Sequence, residues 1–363
     1  MSVTLEKAWP LADMSGVAIC PYGHSTHCKN IEIMESAHPV PDRNSVLAAE
    51  KAMAIASSVG ANDLFLVLLS GGGSSLMCAP ADSFSLEDKR QLTQKMLRSG
   101  APIGDINLVR SFLSKIKSGG LLANVVSGAK VLTLAISDVV GDDPTKIASG
   151  PTVYQPMDIE AVRSTLRKYG AAVHIPVMPE KSKPLVASEY HIIANANRML
   201  FKARELLAKE GFSVQNLGTA EEGEAQKVAA KHRQLILQEV SLRPKEKIAF
   251  LSGGELTVIV DGTGSGGPNQ EYLLTLMSLL EPGAFSGFAV DTDGCDGIGG
   301  AAGAFFDVPS HCEAHSKKMY ADYLDENDSY SFFKNLGCML DAVDTETNVN
   351  DLRVLLHMPS NIS

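Results

Sequence analysis

Residues 64–69, LFLVLL, run without any alternation into Ser70, Gly71, Gly72, Gly73, Ser74 and Ser75. A strand with no period-two pattern is buried on both faces, the condition of a strand in an open sheet covered by helices. Similar runs recur at 15–20 (SGVAIC), 130–137 (KVLTLAIS), 191–195 (HIIAN), 247–252 (KIAFLS), 256–260 (LTVIV) and 287–290 (GFAV). Helical patterns lie between them. Ser85 and Asp88 make a capping-box start for a segment that stops at Gly100, and Met199, Ala203 and Leu206, beside Leu200 and Leu207, keep helical spacing up to Gly211. Residues 219–240, TAEEGEAQKVAAKHRQLILQEV, read as a further amphipathic helix. Such alternation predicts an α/β chain with parallel sheets and crossover helices.

The length, 363 residues, suits two domains. Pro176, Pro179 and Pro184, with Lys181 and Lys183, mark 174–188 as the linker, because repeated prolines continue neither helix nor ladder. The boundary is expected near residue 187, giving domains 1–187 and 188–363. With 32 basic against 42 acidic residues the chain carries a net charge of −10, and no Lys/Arg cluster offers the cationic face that nucleic acid requires. The longest apolar run is too short to span a bilayer, and the N-terminus lacks a basic segment followed by an apolar one, so neither a membrane nor a secretory signal is expected. Six cysteines without CxxC spacing fit a reduced, cytoplasmic protein. Trp9, the only tryptophan, is expected to pack.

Five segments carry chemistry. In 70–75 three glycines let a ligand approach the backbone, while amides and hydroxyls donate to an anion; a plain glycine-rich turn is the alternative. Residues 106–120 bring Arg110, Lys115 and Lys117 near one another before Gly119 and Gly120, as cations for a carboxylate or phosphate or as a solvated helix face. In 131–153 a strand ends at Asp138, followed by Gly141, Asp142, Asp143, Ser149, Gly150, Pro151 and Thr152; carboxylates beside hydroxyls suit Mg²⁺, although Asp142 and Asp143 also read as turn formers. Residues 248–272 place Gly253, Gly254 and Glu255 between two strands. There Gly262, Gly264 and Gly267 match GxGxxG and Asp291 ends the next strand, an argument for a dinucleotide site and hence for a reductase; the alternative is a helix near Asn269, opened by Pro268, whose N-terminus binds phosphate. Asp291, Asp293 and Asp296, spaced by Gly294 and Gly297, miss the EF-hand pattern and suit a second Mg²⁺, a ribose hydroxyl or a surface loop. His24, His27 and Cys28, and His311, Cys312 and His315, lack zinc spacing and read as loop residues.

Taken in order, SGGGSS, IGDINLVRSFLSKIKSGG, SDVVGDDPTKIASGPTV, SGGELTVIV, GGPNQEY, DTDGCDG and the tail TETNVNDLRVLL resemble the glycerate 2-kinase family, from about Ala8 to Leu356. Members of that family are also filed as hydroxypyruvate reductases. The resemblance implies a Rossmann-like open parallel sheet domain, a smaller α/β MOFRL domain over about 246–354, and an active cleft between them. It implies ATP and Mg²⁺ as cosubstrate and metal and phosphorylation of D-glycerate to 2-phosphoglycerate; a homodimer is compatible with it. On this reading Arg110, Lys117 and Asp138 are catalytic, and Ser70, Gly71, Gly72, Gly73, Ser74, Ser75, Ser149, Gly150 and Thr152 bind substrate or phosphate. Asn348, Asn350 and Asp351 join them from the second domain. Gly253, Gly254, Glu255, Gly266, Gly267, Asn269 and Asp291 hold nucleotide, and Asp138, Glu255 and Asp293 hold metal.

Departures are visible too. The family begins with a strand and a Gly-Ala-Gly-Lys loop, whereas this chain starts after it, with VTLEKAWP aligned to the following helix. Pro268 stands where many members have arginine, and Gly300 where aspartate is frequent. Two rivals remain, an NAD(P)H-dependent reductase of hydroxypyruvate or tartronate semialdehyde and an inactive shortened paralogue.

Overall fold

The apolar run that opens the argument is a strand, β3 (Leu64–Leu69), paired in parallel with β4 (Lys130–Ile136) so that Leu64 faces Lys130. With β5 (Ala187–Ala194) they form a sheet of order β3-β4-β5, and β1 (Gly16–Pro21) pairs in parallel with β2 (Ile31–Ser36) in a separate two-stranded sheet. The computed structural model describes residues 1–171, 184, 186–317 and 320–359, so most of the expected linker lies outside the described residues. The chain divides into two units: Met1–Ala135 with Asp143–Ile193, and Ile136–Asp142 with Ala194–Ser363.

In the first unit α1 (Ser2–Ala8) buries no residue, and Trp9, expected to pack, is 51% exposed. The helix α2 (Arg43–Ser58) starts on an Asp42/Ser45 capping box and buries Ala48, Ala49, Ala52 and Ala56, a small-residue face that lets the helix lie close to its neighbours. A four-residue turn, α3 (Gly73–Leu76), follows β3. The expected capping box is present in α4 (Leu86–Arg98), where Asp88 N–H reaches Ser85 Oγ at 3.1 Å. Leu92 and Met96 of α4 pack with Ile106, Val109 and Phe112 of α5 (Ile103–Phe112) and with Val162 and Leu166 of α6 (Ile159–Lys168).

The second unit carries α7 (Ala196–Lys209), β6 (Ser213–Glu224), α8 (Ala225–Leu242), β7 (Ile248–Thr257), α9 (Pro268–Leu279), β8 (Phe285–Asp291) and β9 (Ala301–Phe306). These are followed by α10 (Val308–Lys317), α11 (Tyr320–Asp325), α12 (Ser329–Leu336), β10 (Met339–Asp341) and β11 (Asp351–His357). Its sheet runs β10-β9-β8-β11-β7-β6, and only β6 and β7 pair in parallel, which corrects the expectation of parallel pairing here. The strands still read as continuous apolar runs because both faces are covered. Leu200 of α7 packs with Leu251 and Val354, while α8 and α9 bury Val228, Ile236, Leu273 and Met277 with Phe250 and Leu355. Two further expectations change. Residues 248–257 are one strand, so Gly253, Gly254 and Glu255 lie inside β7 and not in a turn between two strands. Residues 219–224 finish β6, and the helix begins only at Ala225. The two changes are linked: Gly254 (φ +102°) sits where β6 bulges, and a Cβ there would stand 2.2 Å from the Glu221 carbonyl.

Candidate active-site residues

Beyond β3 the chain reverses at Gly72, whose left-handed backbone (φ +76°) opens α3 and presents Ser74. A β-carbon at Gly72 would also press on the His38 ring at 3.0 Å, so the turn requires glycine twice over. Two cations meet the Ser74 hydroxyl. Lys117, 2% exposed, donates to it and to Ser149 Oγ at 2.9 Å, and the two serine oxygens are 3.0 Å apart. Arg110, at the end of α5, donates to Ser74 Oγ at 3.2 Å and to Asn107 Oδ1 at 3.4 Å, and burial pushes its pKa below the usual arginine value. It stays charged nonetheless.

The loops that hold these groups are strained. Ser118, Ala148 and Ser149 are non-glycine residues at φ +53°, +48° and +62°. They are clamped by Ser118 N–H to Ser149 O at 3.0 Å and Gly119 N–H to Gly150 O at 2.7 Å. Left-handed backbone of this kind persists only where surroundings over-determine it, and it concentrates at functional sites. The other predicted members of this group do less. Lys115 pairs with Asp82 at the surface, Ser75 Oγ donates to Gly72 O at 3.1 Å, Ser70 is exposed, and Thr152 Oγ1 is buried against Thr133 Oγ1 at 2.9 Å. Asp143 caps Thr145 N–H at 3.0 Å and Asp142 N–H closes a turn on Val139 O at 3.0 Å, the turn-forming role foreseen as their alternative, while the Asp142 carboxylate also accepts from the distant Asn195 Nδ2 at 2.6 Å.

In the second unit Asp351 begins β11 and is 3% exposed. Its carboxylate accepts from Arg353 Nη1 at 2.6 Å, Asn269 Nδ2 at 2.6 Å and Leu256 N–H at 3.2 Å. Arg353, which the sequence reading missed, is 2% exposed and also donates to Ser252 Oγ at 3.0 Å and Gly253 O at 2.6 Å, with its guanidinium 5.3 Å from the Tyr272 ring centre. The signal that could have found it is a charged residue in an apolar strand, LRVLL, where only a fully paired cation is tolerated. Asp296, suggested for metal or ribose, is 1% exposed and caps α9, accepting Asn269 N–H at 3.0 Å and Gln270 N–H at 2.9 Å. The GxGxxG glycines face the same crowding: a Cβ at Gly262, Gly264 or Gly267 would lie 2.3 Å from Glu326, Asp328 or Asp296. Gly266 packs equally closely on the Ser329 hydroxyl.

Four further carboxylates share this unit. Glu255, on the exposed side of β7, is pushed up in pKa by partial burial and by the charges of Asp351, Asp138 and Glu222. Asp291 is pushed up to about 7, chiefly by burial and then by Asp293 and Asp351, although Asp293 N–H donates to it at 3.0 Å. Asp293 itself is exposed and accepts from Cys295 N–H at 2.8 Å. Asn350, with φ +65°, presents its carbonyl to Thr292 Oγ1 at 2.6 Å, and Asn348 Oδ1 accepts Asn350 N–H at 2.8 Å, so both residues shape the turn before Asp351. No group of three His, Cys, Asp or Glu side chains is arranged to hold a metal among the described residues. His311 and His315 lie on α10 and not in a loop, and His311 Nε2 donates to Met277 O at 2.8 Å. All six cysteines are free.

A family model described as a domain of unknown function, DUF4147, matches residues 1–180, and the MOFRL family matches 248–351. A D-glycerate 2-kinase of Thermotoga maritima is 38% identical, the match covering 93% of this chain and 83% of the relative. The chain belongs to the glycerate 2-kinase family. Within the family a glycerate 2-kinase of Pyrococcus horikoshii is 35% identical over 94% of this chain and 81% of its own length. A protein of Agrobacterium vitis, provisionally described as a hydroxypyruvate reductase, is 38% identical over 98% and 84%. The crystal structure of glycerate kinase from Thermotoga maritima superposes with a TM-score of 0.92 at 36% identity, covering 99% of this chain and 88% of that one. The α/β architecture of this family member is therefore the architecture of a glycerate kinase.

Proposed function

We propose that the chain transfers the γ-phosphoryl group of ATP to the 2-hydroxyl of D-glycerate, with Mg²⁺, giving 2-phosphoglycerate and ADP. The observation that carries this reading is the convergence of Lys117 and Arg110 on Ser74, in the loop that follows β3. Phosphoryl transfer asks for positioning and charge neutralisation more than for covalent chemistry, and two cations with two hydroxyls supply both. Arg110 and Lys117 neutralise the carboxylate of glycerate and the transferring group, and Ser74 and Ser149 orient it by hydrogen bonds.

The second unit fits a hard cation. Burial and then the charges of Asp351 and Asp138 disfavour the charged form of Glu255, and a divalent ion beside it would offset them. Mg²⁺ needs only one or two carboxylates and completes its shell with water and phosphate oxygens, so a three-carboxylate cage is not required. Glu255 and Asp138 would hold it, and when bound it neutralises charge on the ATP phosphates. The relatives described as glycerate kinases support the acceptor.

ADP release measured with ATP, Mg²⁺ and D-glycerate, run beside NADH oxidation with hydroxypyruvate, tests the proposal. Glycerate-dependent ADP without NADH oxidation is expected. NADH oxidation without ADP would overturn it in favour of the reductase.

A further inference from the structure

Lys89 occupies the first turn of α4, one residue past Asp88 of the capping box. It is 6% exposed, and its Nζ has no hydrogen-bond partner among the described residues. It shares a helix face with Leu92 and Met96, which pack on Ile106, Val109 and Phe112 of α5, the helix whose last turn carries Arg110 to Ser74. Burial first and Arg110 after it disfavour the charged form of Lys89, while the Cys78 thiol, 2% exposed and the polar group that favours that charge, neighbours both cations. Among the described residues no carboxylate offsets either charge there.

For the fold alone this arrangement is unfavourable on three counts. A buried ammonium whose polar neighbour is a thiol, a weak acceptor, loses most of its hydration uncompensated. A second cation beside it adds repulsion, and the first turn of a helix is the positive end of its dipole, where a cation is disfavoured again. A leucine or methionine at this position would extend the stripe of Leu92 and Met96 at no such cost.

We infer that Lys89 is a positioning residue of the anion site, a buried positive charge beside Arg110 whose partner is the phosphoryl group of a bound ligand. The inference rests on the reading of Ser74, Arg110 and Lys117 as that site. A single carboxylate would leave most of the positive charge of Lys89, Arg110 and Lys117 unbalanced, whereas a phosphoryl group carries about two negative charges at neutral pH. Lys89 acts through the field it adds and by repelling the Arg110 guanidinium toward Ser74.

Titration calorimetry of inorganic phosphate onto the full chain, with thermal unfolding of the same samples, tests this for the wild type, Lys89→Met and Lys89→Arg. Lys89→Met is expected to melt above the wild type yet bind phosphate about tenfold more weakly, the scale of one partly screened charge. Lys89→Arg keeps the charge and is expected to bind within about threefold of the wild type. A Lys89→Met chain that melts below the wild type, or that binds phosphate as the wild type does, overturns the inference. So does a Lys89→Arg chain as weak as Lys89→Met, or a wild type that takes up no phosphate. Glycerate-dependent ADP formation by the same wild-type sample reports on the kinase reading separately, since phosphate binding needs no turnover.

Discussion

Ser74 matters because its hydroxyl is the point on which Lys117 and Arg110 both converge. Removing one such charge from a site that stabilises a phosphoryl group typically costs about 10²- to 10³-fold in rate. Lys117→Met is therefore expected to lower kcat/KM for glycerate by about that factor while leaving the far-ultraviolet circular dichroism unchanged; a loss under threefold would remove Lys117 from the chemistry. The loop serines and both cations stand out in the sequence because glycine, serine and basic residues gather there. The roles of Arg353 and Asp296 were not legible, since their partners come from strands and loops far away in the chain. His232 is a third such residue. It is fully buried, with Nδ1 2.8 Å from Tyr272 Oη, and burial pushes its pKa down to about 4 from an ordinary 6.5. Below pH 6.5 the unfolded chain takes up a proton that the folded chain refuses until about pH 4. Stability from His232 is thus complete above pH 6.5 and falls as the pH drops through that window. Urea unfolding of His232→Gln is expected to show a shallower acid loss there than the wild type; equal slopes would refute the assignment.

At the scale of elements, α9 shows how a loop carboxylate can substitute for a local helix cap. Its N-cap residue is Gly267, which has no side chain to offer, and Asp296 reaches across to accept Asn269 N–H and Gln270 N–H instead. Asp296→Ala leaves those amides buried and unmet and is expected to cost about 3 kcal/mol in equilibrium unfolding, above the ~1 kcal/mol of an exposed cap. A loss under ~1 kcal/mol would show the helix end is satisfied otherwise. The strands were the most legible elements: residues 64–69 and 130–136 lie where the apolar runs place them. Where the reading failed, tertiary contacts had overruled local pattern. The Gly253–Gly254 pair looks like a turn in sequence, but the bulge of β6 against it makes it continuous strand. The polar stretch 219–224 looks helical, yet pairing with β7 extends it as the end of β6. β11 was not foreseen, although it is central to its sheet.

For the molecule as a whole, the proposed function assigns different chemical demands to residues of the two units. The first carries the cations and hydroxyls around Ser74, and the second carries Glu255 and Asp138 together with the buried Asp351–Arg353 pair. On the proposed reading phosphoryl transfer uses both sets, whereas hydride transfer to hydroxypyruvate would leave the carboxylates of the second without a task. The GxGxxG match, which was the main residue-level support for a reductase, is accounted for by packing of its glycines on residues 296 and 326–328. The net charge of −10 does not oppose an anionic substrate, because the cations that matter are local to one loop cluster. The most direct measurement follows the label from γ-³²P-ATP in the presence of Mg²⁺ and D-glycerate. Transfer of label to 2-phosphoglycerate, reduced by Lys117→Met, is the predicted result; label that stays on ATP while NADH is consumed with hydroxypyruvate would contradict it.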